Sequence, residues 1–295
     1  MFQEPDYLSP TFVASAGRCG TQWLASAFDT LYSDLVVARH EPLTFKYSPR
    51  TLMRSPLPFE EHPNFPIIDS HLRWIADILR SRAYLETGWP AIGALRLIYD
   101  VFGSKVKIVH LTRHPVYSAC SMATHGYYLS GRSDGYTAYA ILQPSDPGVI
   151  HTTFDSRWPN MSAFERCLFH WTEINTYALD LRAELAADVR WFHARTEDLF
   201  DPESERLAEL VEFLGLPVRA DFLSSRGERV DQHATVTSLP LNLTDINKHP
   251  ETMELASLLG YDVEDVHGVE IEARYRSPRG VNPRISPGSV SKAVT

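Results

Sequence analysis

The stretch from Phe12 to Leu24, Phe-Val-Ala-Ser-Ala-Gly-Arg-Cys-Gly-Thr-Gln-Trp-Leu, constrains this chain more than any other. Phe12 to Ala16 has the length and apolar character of a buried strand. Gly17 and Gly20 bracket Arg18 and Cys19, and glycine permits the sharp turn and close ligand approach that such a loop needs. Thr21 starts a helix that runs to about Thr30, with Trp23, Leu24, Ala27 and Phe28 on one side. The first amide N–H groups of a helix lack intrahelical acceptors, and the positive end of its dipole faces the loop. A strand, a glycine loop and a helix start in succession therefore make a site for a phosphate-like anion, and Arg18 adds a fixed positive charge beside it.

Further strands and their ends supply the other candidates. Leu35-Val36-Val37-Ala38 reads as a second strand ending in Arg39-His40-Glu41-Pro42, where Pro42 cannot continue a ladder. In an open α/β sheet ligands bind beyond the carboxyl ends of strands, which puts Glu41 near the loop of 17–20. Residues 47–66, with five prolines, read as an irregular crossing that borders the site. Ile67 to His71 reads as a short strand or the start of a helix, and Leu72 to Leu85 has helical apolar spacing. Tyr84 to Thr87 opens another strand, and Ala91 to Phe102 is a further helix. Asp69, His71 and Glu86 each read, taken singly, as a capping or satisfied polar residue. Lys107 to Thr112 is a strong strand that meets Arg113-His114-Pro115, and Pro115 fits the first position of a following helix. Arg113 thus faces the same crevice as Arg18, and Ser118 and Ser121 share one face of that helix.

Residues 124–162 are dense in Gly, Tyr, Ser, Asp and Pro and read as a loop or lid with little regular structure, bordering the acceptor site. A helix over Glu165–Leu185, a strand from Val189 to His193, a helix from about Pro202 to Leu214 and a last helix from Glu251 to Leu259 complete the pattern. Residues 1–273 read as a single domain, and 274–295 as a flexible or wrapping tail.

Net charge decides what the partners are not. The 295 residues carry a formal charge of −9, which argues against a nucleic acid or an anionic membrane as the main partner. Anion binding must come from a local site working against the global field. Cys19, Cys120 and Cys167 are odd in number and far apart, which suggests neither a disulfide framework nor a zinc site. With no signal-peptide pattern at the start and no run of membrane-spanning length, a cytoplasmic setting is expected.

Three segments together resemble the sulfotransferases that use 3′-phosphoadenosine 5′-phosphosulfate. Gly17-Arg-Cys-Gly-Thr-Gln-Trp-Leu resembles their donor loop, commonly Pro-Lys/Arg-Ser-Gly-Thr-Thr-Trp-Leu. Leu111-Thr-Arg-His-Pro, with Ser121 eight residues after Arg113, resembles their 3′-phosphate motif. Thr196-Glu-Asp-Leu-Phe, Val211-Glu-Phe-Leu-Gly-Leu-Pro and Leu258-Leu-Gly-Tyr-Asp are similar to their carboxy-terminal stretch. The likeness spans most of residues 12–263. It departs at Gly17 for proline, Cys19 for serine, Gln22 for threonine and His114 for aspartate, and Arg226-Gly227 sits early for the family's Arg-Lys-Gly segment.

The resemblance implies an α/β fold, a three-layer α/β/α sandwich with a central parallel sheet of the P-loop NTPase-like sulfotransferase type. It implies that Arg18 neutralises the 5′-phosphosulfate and its leaving oxygen, that Gly17, Cys19, Gly20, Thr21 and Gln22 cradle that phosphate, that Trp23 stacks on adenine, and that Arg113 and Ser121 hold the 3′-phosphate. Sulfuryl transfer is an in-line displacement dominated by positioning and charge stabilisation, and it needs a base at the acceptor. Glu41 is that base, in a His-Glu-Pro context similar to the Glu-Pro element of carbohydrate and bacterial sulfotransferases. His71 and Asp69 stand in reserve. The expectation is a metal-free transferase acting on a hydroxyl or amine of a small-molecule or carbohydrate acceptor, with the product adenosine 3′,5′-bisphosphate. Oligomeric state is open, a homodimer included. The alternatives are a P-loop nucleotide kinase or NTPase, disfavoured because no lysine precedes Thr21 and the strand of 107–112 ends in arginine, and a non-catalytic nucleotide-binding protein of the same fold.

Overall fold

The computed structural model describes residues 8–43, 46–55, 57–129, 141–185, 187–226 and 241–267. Five strands, β1 (Pro10–Ala14), β2 (Val36–His40), β3 (Ala83–Thr87), β4 (Lys107–Thr112) and β5 (Arg190–Arg195), form one sheet in the order β2-β3-β1-β4-β5. Every pairing is parallel. After β1 the chain runs toward the β2 edge, and after β4 it runs to β5 at the other edge. The carboxyl ends of β1 and β4 are therefore the topological switch point, where an open α/β sheet leaves a crevice for ligand.

Eleven described helices cover the two faces: α1 (Thr21–Leu31), α2 (Pro49–Leu52), α3 (Phe65–Ile78), α4 (Leu95–Phe102), α5 (Pro115–Thr124), α6 (Thr153–Arg157), α7 (Ala163–Leu185), α8 (Thr196–Phe200), α9 (Arg206–Leu214), α10 (Ala220–Ser224) and α11 (Pro250–Leu258). Alternation along the strands sorts them into layers. Phe12, Ala14, Val37, Tyr84 and Ile108 pack against α3, α4, α5, α7 and α11. Val13, Val36, Ala38, Leu85, Val109 and Leu111 pack against α1, α9 and α10. The result is the three-layer α/β/α sandwich with a central parallel sheet.

Some element boundaries differ from the sequence expectation. The apolar spacing that reads as a helix over 72–85 belongs to α3, which already begins at Phe65 behind Pro66 in its first turn and stops at Ile78. Residues 83–87 are wholly buried strand. The helix expected from Pro202 to Leu214 starts later, as α9 at Arg206, and the Glu197-Asp198-Leu199 stretch leading to it lies in a separate short helix, α8. A 3₁₀ turn over Trp89–Ala94 precedes α4. Of the expected lid, 130–140 lie outside the described residues, as does the 274–295 tail. The described remainder contains α6 and a 3₁₀ turn over Trp158–Asn160. It buries Tyr127, Tyr128, Ile141, Leu142 and Phe154 in the main core, so this part is built into the fold. Among the described residues no helix is long and apolar enough to cross a membrane. The three cysteines are free and buried.

Two histidines of the sheet face make the fold sensitive to acid. His110 on β4 is fully buried, with Nε2 2.9 Å from Asn175 Oδ1, and burial pushes its pKa down to about 4. His193 on β5 is also held below its usual value, again chiefly by burial. In the unfolded chain both titrate near about 6.5. The unfolded state thus takes up protons that the folded state refuses, and stability falls as pH drops from about 6.5 toward about 4. Between about pH 6.5 and 5 the carboxylates are largely ionised in both states, which leaves the histidines to dominate. The melting temperature is expected to decline across that interval, and a flat profile there would contradict neutral burial.

Candidate active site

The glycine loop follows β1 at the switch point. Its backbone is left-handed at Gly17, Arg18 and Gly20, with φ of 85°, 57° and 81°. Gly20 is the N-cap of α1 and offers no side-chain cap. A Cβ there would lie 2.9 Å from Phe200 Cε2, so the left-handed φ and the Phe200 ring together require glycine. The first helical bond of α1 runs from Leu24 N–H to Gly20 O. The N–H groups of residues 21–23 precede it, and no acidic side chain lies in that first turn.

Two arginines and a serine meet on this loop. Arg18 Nε donates to Ser121 Oγ at 3.2 Å. Arg113 Nη1 donates to the Arg18 carbonyl at 3.0 Å, and the Arg113 carbonyl accepts from Trp171 Nε1 at 2.9 Å. Arg113 and Ser121 are both buried, while Arg18 is half-buried. Cys19 Sγ donates to the Gly17 carbonyl at 3.1 Å, and burial pushes its pKa up to about 12. Cys19 is therefore a neutral thiol that ties the loop, not a nucleophile. Gly17 N–H donates to Ser15 Oγ. Thr21 O accepts from Thr87 Oγ1 at 2.8 Å, and Gln22 is half-buried.

Glu41 comes to the same corner from β2. Its backbone is left-handed at φ 46°, and its N–H donates to the Thr87 carbonyl at 2.9 Å, one residue past the end of the β2–β3 ladder. A Cβ on Gly88 would fall 2.2 Å from Glu41 Cγ, so the side chain lies directly over Gly88. A Cβ on Gly17 would lie 3.6 Å from Trp89 Cδ1. The dipeptide Gly88-Trp89 thus separates the carboxylate from the anion loop. Glu41 Oε1 is 4.0 Å from His40 Nε2.

His71 and Asp69 have different surroundings. His71 Nε2 lies 2.7 Å from Glu86 Oε2, and the Tyr84 hydroxyl donates to the same oxygen at 2.7 Å. Burial first, and then the Glu86 carboxylate, hold the Tyr84 phenol well above its usual range. The Trp74 ring stacks on His71 at 5.6 Å. Glu86 stands two residues before Gly88, about 7 Å along β3. Asp69 pairs with exposed Arg73 at 2.9 Å on α3.

Trp23 is 5% exposed, with its ring 4.8 Å from Phe200 and 5.9 Å from Phe222. Its Nε1 donates to the Ser225 carbonyl at 3.2 Å, which anchors the segment leading to Arg226. Gly227 lies outside the described residues. The structure adds two supporting residues to which sequence reasoning gave no role. Thr196 Oγ1 is 2.9 Å from both the Cys19 and Thr112 carbonyls, bridging the loop to the end of β4. Glu197 accepts from the His114 N–H at the start of α5 at 3.0 Å. Their position at the carboxyl end of β5 was the available signal.

No family model and no curated protein matches the chain. Among solved structures it is similar to a sulfotransferase domain from the curacin biosynthetic pathway, with a TM-score of 0.52 at 14% identity over 86% of this chain and 98% of that one. A sulfotransferase domain from the Synechococcus PCC 7002 olefin synthase aligns with a TM-score of 0.49 at 19% identity, over 89% and 99% of the two chains. A sulfotransferase from Alicyclobacillus acidocaldarius aligns at 0.47 and 15%, over 85% and 96%. At such identities the likeness concerns architecture, and the chain shares the fold of the curacin-pathway sulfotransferase domain.

Proposed function

We propose that the protein transfers a sulfuryl group from 3′-phosphoadenosine 5′-phosphosulfate to a hydroxyl or amine of a small-molecule or carbohydrate acceptor. The observation that carries this reading is the junction of Arg18, Ser121 and Arg113 at the switch point, with Glu41 across Gly88-Trp89. Two fixed cations and a serine at a helix N-terminus suit a donor with two separated phosphates. A carboxylate beside that anion site suits an acceptor that must lose a proton as it attacks.

In this reading the 5′-phosphosulfate lies in the loop, held by the N–H groups at the start of α1 and by the Arg18 guanidinium. Charge develops on the bridging oxygen as the sulfur–oxygen bond lengthens, and Arg18 neutralises it. Glu41 takes the acceptor's proton while the acceptor attacks in line from the opposite side. Arg113 and Ser121 hold the 3′-phosphate, and the region of Trp23 and Phe200 receives the base. His71, oriented by Glu86 as a carboxylate orients an imidazole in other acid–base pairs, is the second candidate for the base. No step calls for a metal ion. The test is incubation with 35S-labelled donor against fractionated metabolites and glycans. Labelled product dependent on the protein supports the reading, and its absence across all fractions, with donor binding intact, favours a non-catalytic binding role.

A further inference from the structure

Thr87, the last residue of β3, joins three parts of the site. It is fully buried. Its carbonyl accepts the Glu41 N–H at 2.9 Å. Its hydroxyl oxygen lies 2.8 Å from the Thr21 carbonyl, in the first turn of α1. The same oxygen is 3.2 Å from His40 Nδ1, at the end of β2. The other ring nitrogen, His40 Nε2, stands 4.0 Å from Glu41 Oε1.

These hydrogens fix the tautomer of His40. A hydroxyl has one hydrogen, and a carbonyl oxygen can only accept. The Thr87 hydrogen therefore goes to the Thr21 carbonyl, and toward His40 the hydroxyl oxygen is the acceptor. A neutral imidazole must then carry its single hydrogen on Nδ1. Nε2 keeps a lone pair, and the ring sends no hydrogen toward the Glu41 carboxylate. The opposite tautomer would place an N–H beside Oε1. A hydrogen bond to the charged form of a group stabilises that form, so such an N–H would oppose the proton that a base has to accept.

We propose that Thr87 is a positioning residue for the proton transfer: its hydroxyl holds the His40 hydrogen on Nδ1, away from Glu41, and joins the strand end that carries the base to the first turn of the anion-loop helix. This inference rests on the reading of Glu41 as the base of a sulfuryl transfer. Thr87 acts through His40 and Glu41 and leaves the bond changes as they are. The acceptor's proton goes to a Glu41 oxygen while the acceptor–sulfur bond forms. The bond from sulfur to the 5′-phosphate oxygen breaks, and its electron pair stays on that oxygen.

The first measurement needs no ligand. It reads the ring 15N resonances of the full-length protein at about pH 8, where an ordinary imidazole is neutral, with the His40 signals assigned by their loss in His40→Ala. The wild type is expected to carry the hydrogen on Nδ1. In Thr87→Val, which keeps the shape of the side chain and removes its hydroxyl, the hydrogen is expected on Nε2. Turnover is then followed with 35S-labelled donor and the metabolite fraction that yields labelled product. Thr87→Val is expected to lose about tenfold in kcat, the worth of one net hydrogen bond, while binding adenosine 3′,5′-bisphosphate within about threefold of wild type. Thr87→Ser, which retains the hydroxyl, returns kcat to within about threefold. Removing the imidazole as well, by combining Thr87→Val with His40→Ala, is expected to recover most of the lost turnover, because no ring hydrogen then stands beside the carboxylate. A merely structural Thr87 would instead make the two losses add. A wild-type ring with its hydrogen on Nε2 overturns the proposal, as does a double variant no faster than Thr87→Val. If Thr87→Val fails to fold, the wild-type tautomer still decides. Labelled product from no fraction overturns the transfer reading, and this inference with it.

Discussion

Glu41→Gln is expected to lower kcat by about 10²- to 10⁴-fold, the usual worth of a general base, with binding of adenosine 3′,5′-bisphosphate within about twofold of wild type. The substitution is nearly isosteric, and the backbone that positions the side chain is fixed independently by the N–H bond to Thr87. Geometry over Gly88 is therefore retained. What is lost is an oxygen able to accept the acceptor's proton, since an amide has no comparable basicity. In the proposed reading the donor binds on the far side of Gly88-Trp89, so affinity for the product nucleotide separates proton transfer from a damaged site. Turnover near the wild-type level in Glu41→Gln would remove the base assignment from this residue. It would pass to His71, whose link to Glu86 at 2.7 Å gives it an oriented ring.

Arg18→Ala is expected to cost on the order of 10²- to 10³-fold in kcat, by analogy with removal of a single donor to a developing oxyanion. It should also weaken bisphosphate binding by about tenfold or more, because a charge-assisted contact is lost. Ser121 loses its partner in the same variant. Arg18→Lys sorts these effects. It retains a positive charge but cannot place Nε against Ser121 while reaching the phosphate, and lysine is a point charge where arginine is a planar fork. Intermediate turnover in Arg18→Lys, measured at saturating donor, is the expected result. Turnover of Arg18→Ala within about threefold of wild type would mean that leaving-group charge is borne elsewhere.

The parts of this molecule legible in the sequence are those set by local rules. β1, the glycine loop and α1 follow from a short apolar run, two glycines and helical spacing, and the structure places all three within a residue or two of expectation. The Arg113-His114-Pro115 junction was legible because proline marks the first turn of α5. The boundary of α3 with β3 was not, because the residues of both are apolar at overlapping spacings. Only the sheet pairing of Ala83–Thr87 with β1 and β2 separates them. The site shows the same division. Arg18, Glu41 and Arg113 stand at strand ends, where topology alone aims them at one crevice. Ser121 as a partner of Arg18 and Thr196 as a brace for Cys19 arise from contacts across 103 and 177 positions of sequence, which no local pattern encodes.

In the proposed function the crevice at the ends of β1 and β4 binds a bisphosphorylated adenosine rather than a triphosphate. Calorimetric titration of the wild-type protein and of Arg113→Ala with adenosine 3′,5′-bisphosphate, adenosine 5′-monophosphate and Mg-ATP tests it most directly. The expected result is saturable one-to-one binding of the bisphosphate by the wild type, at least about tenfold tighter than either competitor. In Arg113→Ala the preference over the monophosphate collapses. Tighter binding of Mg-ATP than of the bisphosphate, or an unchanged preference in Arg113→Ala, would contradict it.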